Sequence, residues 1–161
     1  MTDFAPLSRG PVGVQMRRVG HAIYEVVEQF MRLVPFNQVL QIRIESLEDG
    51  FVRMAIPFRE ELIGDPFRRA LHGGVISALV DTAGGAALMT RCEVGDRLST
   101  VDMRVDYLRP GLPEDVIVDA TVVRLGNRVG VAEMRAYHAG RKAEPIASGK
   151  AVYNIRRADS G

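Results

Sequence analysis

The sequence is organised around one stretch, residues 71–89, which reads LHGGVISALVDTAGGAALM. After its His-Gly-Gly opening the stretch is almost entirely small or apolar, and no polar face interrupts it at helical spacing. A helix that is apolar all round is buried in a core or spans a membrane, and this one is too short and too rich in glycine to favour a membrane span. We therefore predict a buried central helix over these residues.

Asp81 is the one ionisable side chain in the middle of this predicted helix. An unpaired carboxylate in apolar surroundings costs several kcal/mol. A structural partner, such as an arginine or a capping group from another segment, would offset that cost. Carboxylates in unusual environments also cluster at functional sites, so Asp81 is a candidate functional residue.

The pair Gly73 and Gly74 opens the predicted helix. Two glycines leave the N–H groups of the first turn uncovered, and these groups point forward with the positive end of the helix dipole. Such an end suits a phosphate, or the oxygen of a carbonyl that is becoming an oxyanion. A tight turn in which glycine merely permits the backbone angles would explain the same pair.

Asp81 and Gly73 are too far apart on one helix to act on the same bond. Asp81 follows Gly73 by eight residues, which is roughly 12 Å along the axis and about 80° around it. If both belong to one active site, they come from two copies of the chain. We therefore expect at least a dimer, in which two sheets pair into a longer one and two composite sites form at the interface.

This stretch and a second block downstream resemble a known family. Residues 72–74, 79–81 and 85–87 are similar to the central helix of hot-dog-fold acyl-CoA thioesterases, specifically the PaaI-like (phenylacetyl-CoA thioesterase) branch. Residues 100–110, which read TVDMRVDYLRP, resemble the strand that follows the helix in that branch. The resemblance extends over about residues 35–156. It implies a homodimer that pairs again into a homotetramer.

The resemblance also implies roles for individual residues. Asp81 matches the catalytic carboxylate, and Gly73 matches the donor to the oxyanion. His72 and Gly74 would shape the turn around that donor. Thr100 falls where the family often has a Ser or Thr that orients the water, although an ordinary strand threonine fits equally well.

Two further parts of the substrate site follow from the resemblance. The family often has an asparagine before the His-Gly-Gly run, where it contacts the thioester or the nucleophile; here the nearest match is Asp65, followed by Pro66. The phosphates of CoA need cations or N–H groups at the pocket mouth. We predict Arg124 and Arg128 for this role. Other basic residues on the late strands and turns are Arg141, Lys142 and Lys150.

The chemistry available to these residues is acyl transfer to water. A thioester carbonyl would lie against the Gly73 N–H, and Asp81 of the neighbouring subunit would either attack it, giving a mixed anhydride, or deprotonate a water. Both routes fit the sequence. The sequence contains no Gly-x-Ser-x-Gly elbow and no Walker or dinucleotide fingerprint.

Two alternative functions are considered. A hot-dog hydratase or dehydratase acting on acyl thioesters needs an Asp–His or Glu–His pair. His72 precedes Asp81 by nine residues, about half a turn out of phase, and does not form such a pair in one chain. A non-catalytic acyl-CoA-binding module is the second alternative, but such sensors usually carry a DNA-reading helix-turn-helix, and we find none in the sequence.

Composition and charge restrict the class of protein. The chain has 161 residues, 47% of them hydrophobic, and a formal net charge of +1, which predicts a soluble globular protein without a nucleic-acid or membrane partner. The single cysteine, Cys92, excludes an internal disulfide and suits a reducing compartment. One cysteine and three scattered histidines argue against zinc, and we expect no cofactor. Because no basic-then-apolar leader opens the chain, we expect a cytoplasmic location.

We expect a flexible N-terminal arm at residues 1–13 and a single hot-dog thioesterase domain at residues 14–161. Apolar residues at helical spacing predict an amphipathic helix from Val14 that ends at Pro35. A polar loop is predicted over residues 59–70. The predicted strands are residues 39–47, 51–58, 100–107, 116–125, 129–138 and 146–155. Two strands, a buried helix and four strands with short turns predict an α+β hot-dog fold, with an antiparallel sheet around the central helix and an additional N-terminal helix.

Overall fold

The computed structural model describes residues 20–158 and divides them into three α-helices and eight strands. The predicted arm at residues 1–13 and the predicted start of the first helix, residues 14–19, lie outside the described residues. The helices are α1 (His21–Leu33), α2 (Pro35–Leu40) and α3 (Gly73–Met89). The strands are β1 (Arg43–Glu48), β2 (Phe51–Ile56), β3 (Ile63–Asp65), β4 (Ala70–Leu71), β5 (Arg97–Tyr107), β6 (Val116–Leu125), β7 (Val129–Tyr137) and β8 (Ala147–Arg156).

Six strands form one antiparallel sheet in the order β1-β2-β6-β7-β8-β5. The short strands β3 and β4 form a separate hairpin that leads into α3. The helix α3 contacts β2, β5, β6, β7 and β8, so it lies across one face of the sheet. This arrangement confirms the predicted α+β hot-dog fold with its central helix and additional N-terminal helix.

Close packing between α3 and the sheet depends on glycines in the strands. A Cβ atom at Gly130 in β7 would lie 2.7 Å from a methyl carbon of Leu88, and one at Gly149 in β8 would lie 2.7 Å from a methyl carbon of Val80. Leu88 and Val80 are fully buried. Burial of a side chain of this size contributes about 1.5–3 kcal/mol, so the two strand glycines make room for a substantial part of the core.

The prediction that α3 is buried on all sides is confirmed only for the side that faces the sheet. Another side, which turns towards the β5 edge at Asp81, carries a stripe of half-buried or exposed residues, most of them small, at steps of three and four. Its members are Gly74, Ala78, Asp81, Gly85 and Met89. The other long side of the helix, including Ile76, Leu79 and Ala83, is buried against the sheet. A uniformly apolar sequence does not distinguish contact with the protein's own core from contact with a second chain.

The N-terminal region differs from the prediction around Pro35. The first helix ends at Leu33, and Pro35 begins α2 instead of ending a helical region. Proline is well accepted at the first position of a helix because its missing N–H has no partner there anyway. The predicted strand at residues 39–47 is therefore wrong at its start. Val39 and Leu40 are helical, Gln41 ends α2 with a left-handed backbone (φ 55°), and β1 begins at Arg43.

Elsewhere the predicted boundaries need smaller changes. The predicted loop at residues 59–70 contains a 3-10 turn, Glu60–Leu62, and most of the β3–β4 hairpin. The strand β6 begins and ends where it was predicted, at Val116 and Leu125. Over the part of the chain that the structure describes, no helix is both long and apolar enough to cross a membrane.

Candidate active site

The first turn of α3 leaves one N–H group available to a ligand. His72 caps the helix, and its Nδ1 accepts a hydrogen bond from the Gly74 N–H at 2.9 Å. The first turn of a helix lacks internal acceptors for its N–H groups. Within residues 20–158, the Gly73 N–H has no hydrogen-bond acceptor. His72 therefore occupies the neighbouring donor and leaves that of Gly73 free.

Tyr107, at the end of β5, packs over this turn. Its hydroxyl donates to the Gly73 carbonyl oxygen at 2.9 Å and also forms a hydrogen bond with Ser77 Oγ. A Cβ atom at Gly73 would lie 3.2 Å from the Tyr107 ring and its hydroxyl. A larger residue at this position would need Tyr107 to shift by a few tenths of an ångström, so glycine lets Tyr107 pack closely over the turn.

Asp81 lies two turns further along α3 and is half-buried. Its Oδ1 accepts a hydrogen bond from Thr100 Oγ1, on β5, at 2.7 Å. No cation within the described residues lies at ion-pair distance from Asp81. Of the partners that the sequence left open, the structure supplies a neutral hydroxyl and not an arginine.

Tyr153 on β8 holds the backbone of the same turn. Its hydroxyl donates to the Asp81 carbonyl oxygen at 2.8 Å, and its side chain is only 2% exposed. Burial, helped by the nearby Asp81 carboxylate, raises the pKa of Tyr153, so the hydroxyl stays protonated and continues to donate. A Cβ atom at Gly84 would collide with this hydroxyl. The sheet thus contacts α3 through one tyrosine at Gly73 and another at Asp81.

A cavity of about 340 Å³ opens beside the first turn of α3. Its lining combines apolar side chains with a similar amount of polar surface. The lining residues are Leu71, Gly73, Ile76, Tyr107, Leu108, Arg109, Pro110 and Gly111. The guanidinium of Arg109 donates to the Pro145 carbonyl oxygen at 2.9 Å, which keeps this charge at the rim.

The residues predicted to contact substrate have other positions or partners in the single chain. Asp65 Oδ1 accepts from the N–H groups of Phe67 at 3.0 Å and Arg68 at 3.1 Å, so its carboxylate caps its own hairpin turn. Arg124 and Arg128 are exposed at the β6–β7 end of the sheet. That end lies beside the C-terminal part of α3, since Gly130 meets Leu88 there. Roles for these three residues in binding stay predictions.

Tyr107, Tyr153 and Ser77 are site neighbours that sequence reasoning missed. Tyr107 belongs to the block that resembles the family, but there we predicted only a strand over residues 100–107. Buried tyrosine hydroxyls usually find a hydrogen-bond partner. The rule predicts that such a hydroxyl has a hydrogen-bond partner, but it does not identify the partner.

A second group of charges lies on the other face of the sheet. Asp119 alternates with the buried core residue Val118 in β6, so it points away from α3. Its carboxylate pairs with Arg53 at 2.6 Å and Lys142 at 2.5 Å, and it accepts from the Tyr137 hydroxyl at 2.9 Å. Burial alone would raise the pKa of Asp119, but these partners hold it below its usual value. The group is saturated with internal partners, which is typical of a structural cluster.

No three His, Cys, Asp or Glu side chains cluster as a metal site anywhere in residues 20–158. The arrangement around α3 instead offers an unoccupied backbone donor and a carboxylate with one neutral partner. These are the two groups that acyl transfer to water requires, one to stabilise an oxyanion and one to act as nucleophile or base.

Comparison with known proteins agrees with this chemistry. Residues 69–144 match the sequence profile of a family described as the Thioesterase superfamily. The chain is 33% identical over 147 residues to YigI of Escherichia coli, a medium/long-chain acyl-CoA thioesterase, and the match covers 83% of this chain and 94% of YigI.

Solved structures show the same relationship. A thioesterase family protein from Silicibacter pomeroyi superposes with a TM-score of 0.77 at 28% identity, covering 84% of this chain and 99% of that one. PaaI of the Escherichia coli phenylacetic acid degradation operon shares the fold, with a TM-score of 0.75 at 19% identity over 86% of this chain and 96% of PaaI. These matches confirm the family predicted from the central helix and the block that follows it. The chain belongs to the thioesterase superfamily and is a hot-dog-fold thioester hydrolase.

Proposed function

We propose that the protein hydrolyses acyl-CoA thioesters to the free acid and CoA at composite sites between two copies of the chain. The observation that carries this proposal is the state of two groups on α3. The Gly73 N–H has no acceptor within residues 20–158, and the Asp81 carboxylate has a single neutral partner, Thr100. Because the two groups lie on different turns of one helix, each needs the complementary group of a second copy.

The edge strand β5 supports the pairing of two copies. In the described part of the chain it pairs only with β8, so its other edge is free along its 11 residues. Val101 on this strand is 65% exposed. A long free edge with apolar side chains is prone to pair with another strand. A symmetric contact between two β5 strands would join the sheets into one.

The order of contacts along β5 supports the composite site. Thr100, near one end of the strand, contacts Asp81, while Tyr107, at the other end, contacts the Gly73 turn. Antiparallel pairing about the middle of β5 would set Thr100 of one copy opposite the partner's Tyr107. The same pairing would bring Asp81 towards the partner's Gly73. The stripe of small residues on α3 would allow the two helices to approach closely.

In this arrangement the partner's Gly73 N–H donates to the thioester carbonyl oxygen as negative charge develops there. Asp81 attacks the carbonyl carbon, or takes a proton from the water that does so. Collapse of the tetrahedral intermediate breaks the C–S bond and releases CoA as its thiolate. In the first route water then hydrolyses the acyl–Asp81 anhydride to the free acid and restores the carboxylate; in the second route the acid forms directly. In both routes the proton released from water goes to the thiolate. Thr100 holds Oδ1 of the carboxylate and leaves Oδ2 for the reaction.

The relationship to YigI favours medium or long aliphatic acyl chains over aromatic ones. In the paired arrangement, Arg124 and Arg128 would lie beyond the partner's Gly73, where the phosphates of CoA would leave the pocket. A dimer of such dimers is proposed from the family resemblance alone.

Thiol release from a panel of aliphatic and aromatic acyl-CoAs tests the proposal. Asp81→Asn keeps the shape of the side chain and removes its charge, so we expect turnover to fall about a hundredfold or more while the protein stays folded. Glu133→Gln is the control, because Glu133 pairs with Lys150 on the face of the sheet that points away from α3. Full thiol release by Asp81→Asn would contradict the proposal. A hydratase would consume only enoyl substrates, and a binding module would release no thiol.

A further inference from the structure

We infer that Tyr107 is a positioning residue for the reaction, and that its hydroxyl fixes the turn of α3 that carries the Gly73 N–H. This inference rests on the proposed function, because it concerns the neighbour of the proposed oxyanion donor. It assigns a role to a side chain that neither the residue pattern nor the fold alone singles out.

The hydrogen bonds of Tyr107 join the first two turns of α3. The phenol has a single proton, which it donates to the Gly73 carbonyl oxygen at 2.9 Å. Its hydrogen bond with Ser77 therefore uses the serine as donor and the phenol oxygen as acceptor. Ser77 lies one turn beyond Gly73. Through these two hydrogen bonds the phenol connects both turns to the end of β5.

The hydrogen bonds of Tyr107 act at the N-terminal end of α3, where the helix is least ordered by its own hydrogen bonds. Helix ends fray, and glycine loses more conformational freedom on ordering than any other residue, yet α3 begins with Gly73 and Gly74. His72 holds the Gly74 N–H from one side. The Tyr107 ring packs at 3.2 Å from the Cβ position of Gly73 on the other. The two side chains together hold the free N–H between them in one orientation.

The geometry favours positioning over acid catalysis. Protonation of the departing thiolate by Tyr107 would break the hydrogen bond to the Gly73 carbonyl at the moment when the turn must hold the oxyanion. Tyr107 lines the cavity beside Gly73 and is 53% exposed. The hydroxyl is engaged by Gly73 and Ser77, and Tyr107→Phe keeps the ring that a ligand in the cavity would meet. Loss of the hydroxyl should therefore act through the Gly73 turn and lower kcat while leaving KM unchanged.

The test is Tyr107→Phe, which removes the hydroxyl and keeps the ring against Gly73. We expect kcat to fall about three- to tenfold, the range that loss of one hydrogen bond produces, with KM within about twofold of the parent. Ser77→Ala keeps the bond from Tyr107 to Gly73 and should cause a smaller loss. Tyr24→Phe is the matched control: its hydroxyl donates to Glu28 at 2.8 Å on the exposed face of α1, and its loss should leave kcat unchanged.

Three outcomes would overturn the inference. One is an unchanged kcat in Tyr107→Phe, whatever its melting temperature. A second is a rise in KM alone, which would indicate contact with the substrate. A third is loss of the alkaline limb of the pH–rate profile, which would make the phenol an acid. Asp81→Asn in the same assay separates this inference from the proposed function: an active Asp81→Asn contradicts the proposed function, and a normal Tyr107→Phe beside an inactive Asp81→Asn contradicts only the role of Tyr107.

Discussion

The two turns of α3 that carry Gly73 and Asp81 are each held by a tyrosine from the sheet, but the two tyrosines lie in different surroundings. In each turn a tyrosine hydroxyl from the sheet donates to the backbone carbonyl of the site residue. The Gly73 turn is at the helix end, and its tyrosine, Tyr107, is half exposed. The Asp81 turn is in the middle of the helix, and its tyrosine, Tyr153, is buried in the core.

This difference determines what each tyrosine contributes. A helix end can move without unfolding the core, so loss of Tyr107 should alter the orientation of the Gly73 N–H more than the free energy of unfolding. Tyr153 packs against Gly84 and Met134 in the core, and the Asp81 turn is also held by the helix on both sides. Loss of contacts there should lower stability first and catalysis second.

The largest expected effect tests whether the two turns work across two chains. Asp81→Asn and Gly73→Val should each lose about a hundredfold in turnover. When the two variants exchange subunits, a mixed dimer has one doubly damaged site and one intact site. About a quarter of parental activity should return, because half of the dimers are mixed and each has one good site of two. Thiol release measured before and after exchange checks this.

Absence of recovery, with exchange confirmed by mass spectrometry, would mean that each chain builds its own site. The comparison of the two turns would then concern one active site within a chain, and the proposed pairing of β5 strands would lose its functional support.

The next effect tests the buried turn. In Gly84→Ala the new methyl group would collide with the Tyr153 hydroxyl and lie 2.9 Å from Met134 Sδ, so we expect a loss of up to about 3 kcal/mol in the free energy of unfolding. Gly85→Ala is the comparison variant, because within one chain its Cβ would meet only Tyr153 Cε1 at 3.5 Å. It should cost less than Gly84→Ala, since alanine favours a helix over glycine, and any loss it does show would come from the partner helix proposed to approach this stripe. Denaturant unfolding measures both variants.

Combination of Gly84→Ala with Tyr153→Phe should recover part of this loss, because the collision with the hydroxyl is removed. If Gly84→Ala is as stable as Gly85→Ala, Tyr153 does not pack on the Asp81 turn as described, and the contrast between the two turns fails.

The smallest expected effect uses Asp119, a charge with complete internal pairing, as a reference for the site. The pKa of Asp119 is held below its ordinary value in the folded protein, so its stabilisation is present above the unfolded pKa of about 3.9 and is lost as the pH falls below it. Asp119→Asn should lower stability at neutral pH by about 2 kcal/mol, a value discounted because Arg53 is partly exposed.

Asp119→Asn should also weaken the acid dependence of unfolding below about pH 4. Some dependence should persist, because the pKa of Asp96 is also lowered: N–H groups of Ala158 and Glu93 and the guanidinium of Arg157 outweigh its desolvation. An acid dependence identical to that of the parent would show that Asp119 is not the paired charge described above. Unfolding curves at several pH values measure the effect.

Much of the fold was predictable because local patterns persist into the structure. The uninterrupted apolar run identified α3, and the hairpin turn at residues 126–128 identified β6 at its observed bounds, Val116 and Leu125. The error at the start of β1 lies where a short apolar run is compatible with two kinds of secondary structure. Residues 39–40 fit a strand or a helix equally well, and only the packing of α2 against α1 decides between them.

The sequence by itself determined which chemical groups α3 carries: a glycine pair at its start, a carboxylate two turns later, and too great a distance between them for one chain to join. Tertiary structure alone decided their partners. Thr100 and Asp81 are 19 positions apart, Tyr107 and Gly73 are 34 apart, and Tyr153 and Asp81 are 72 apart. Such contacts depend on how β5 and β8 lie against the helix, and residue type and spacing along the chain do not encode that register.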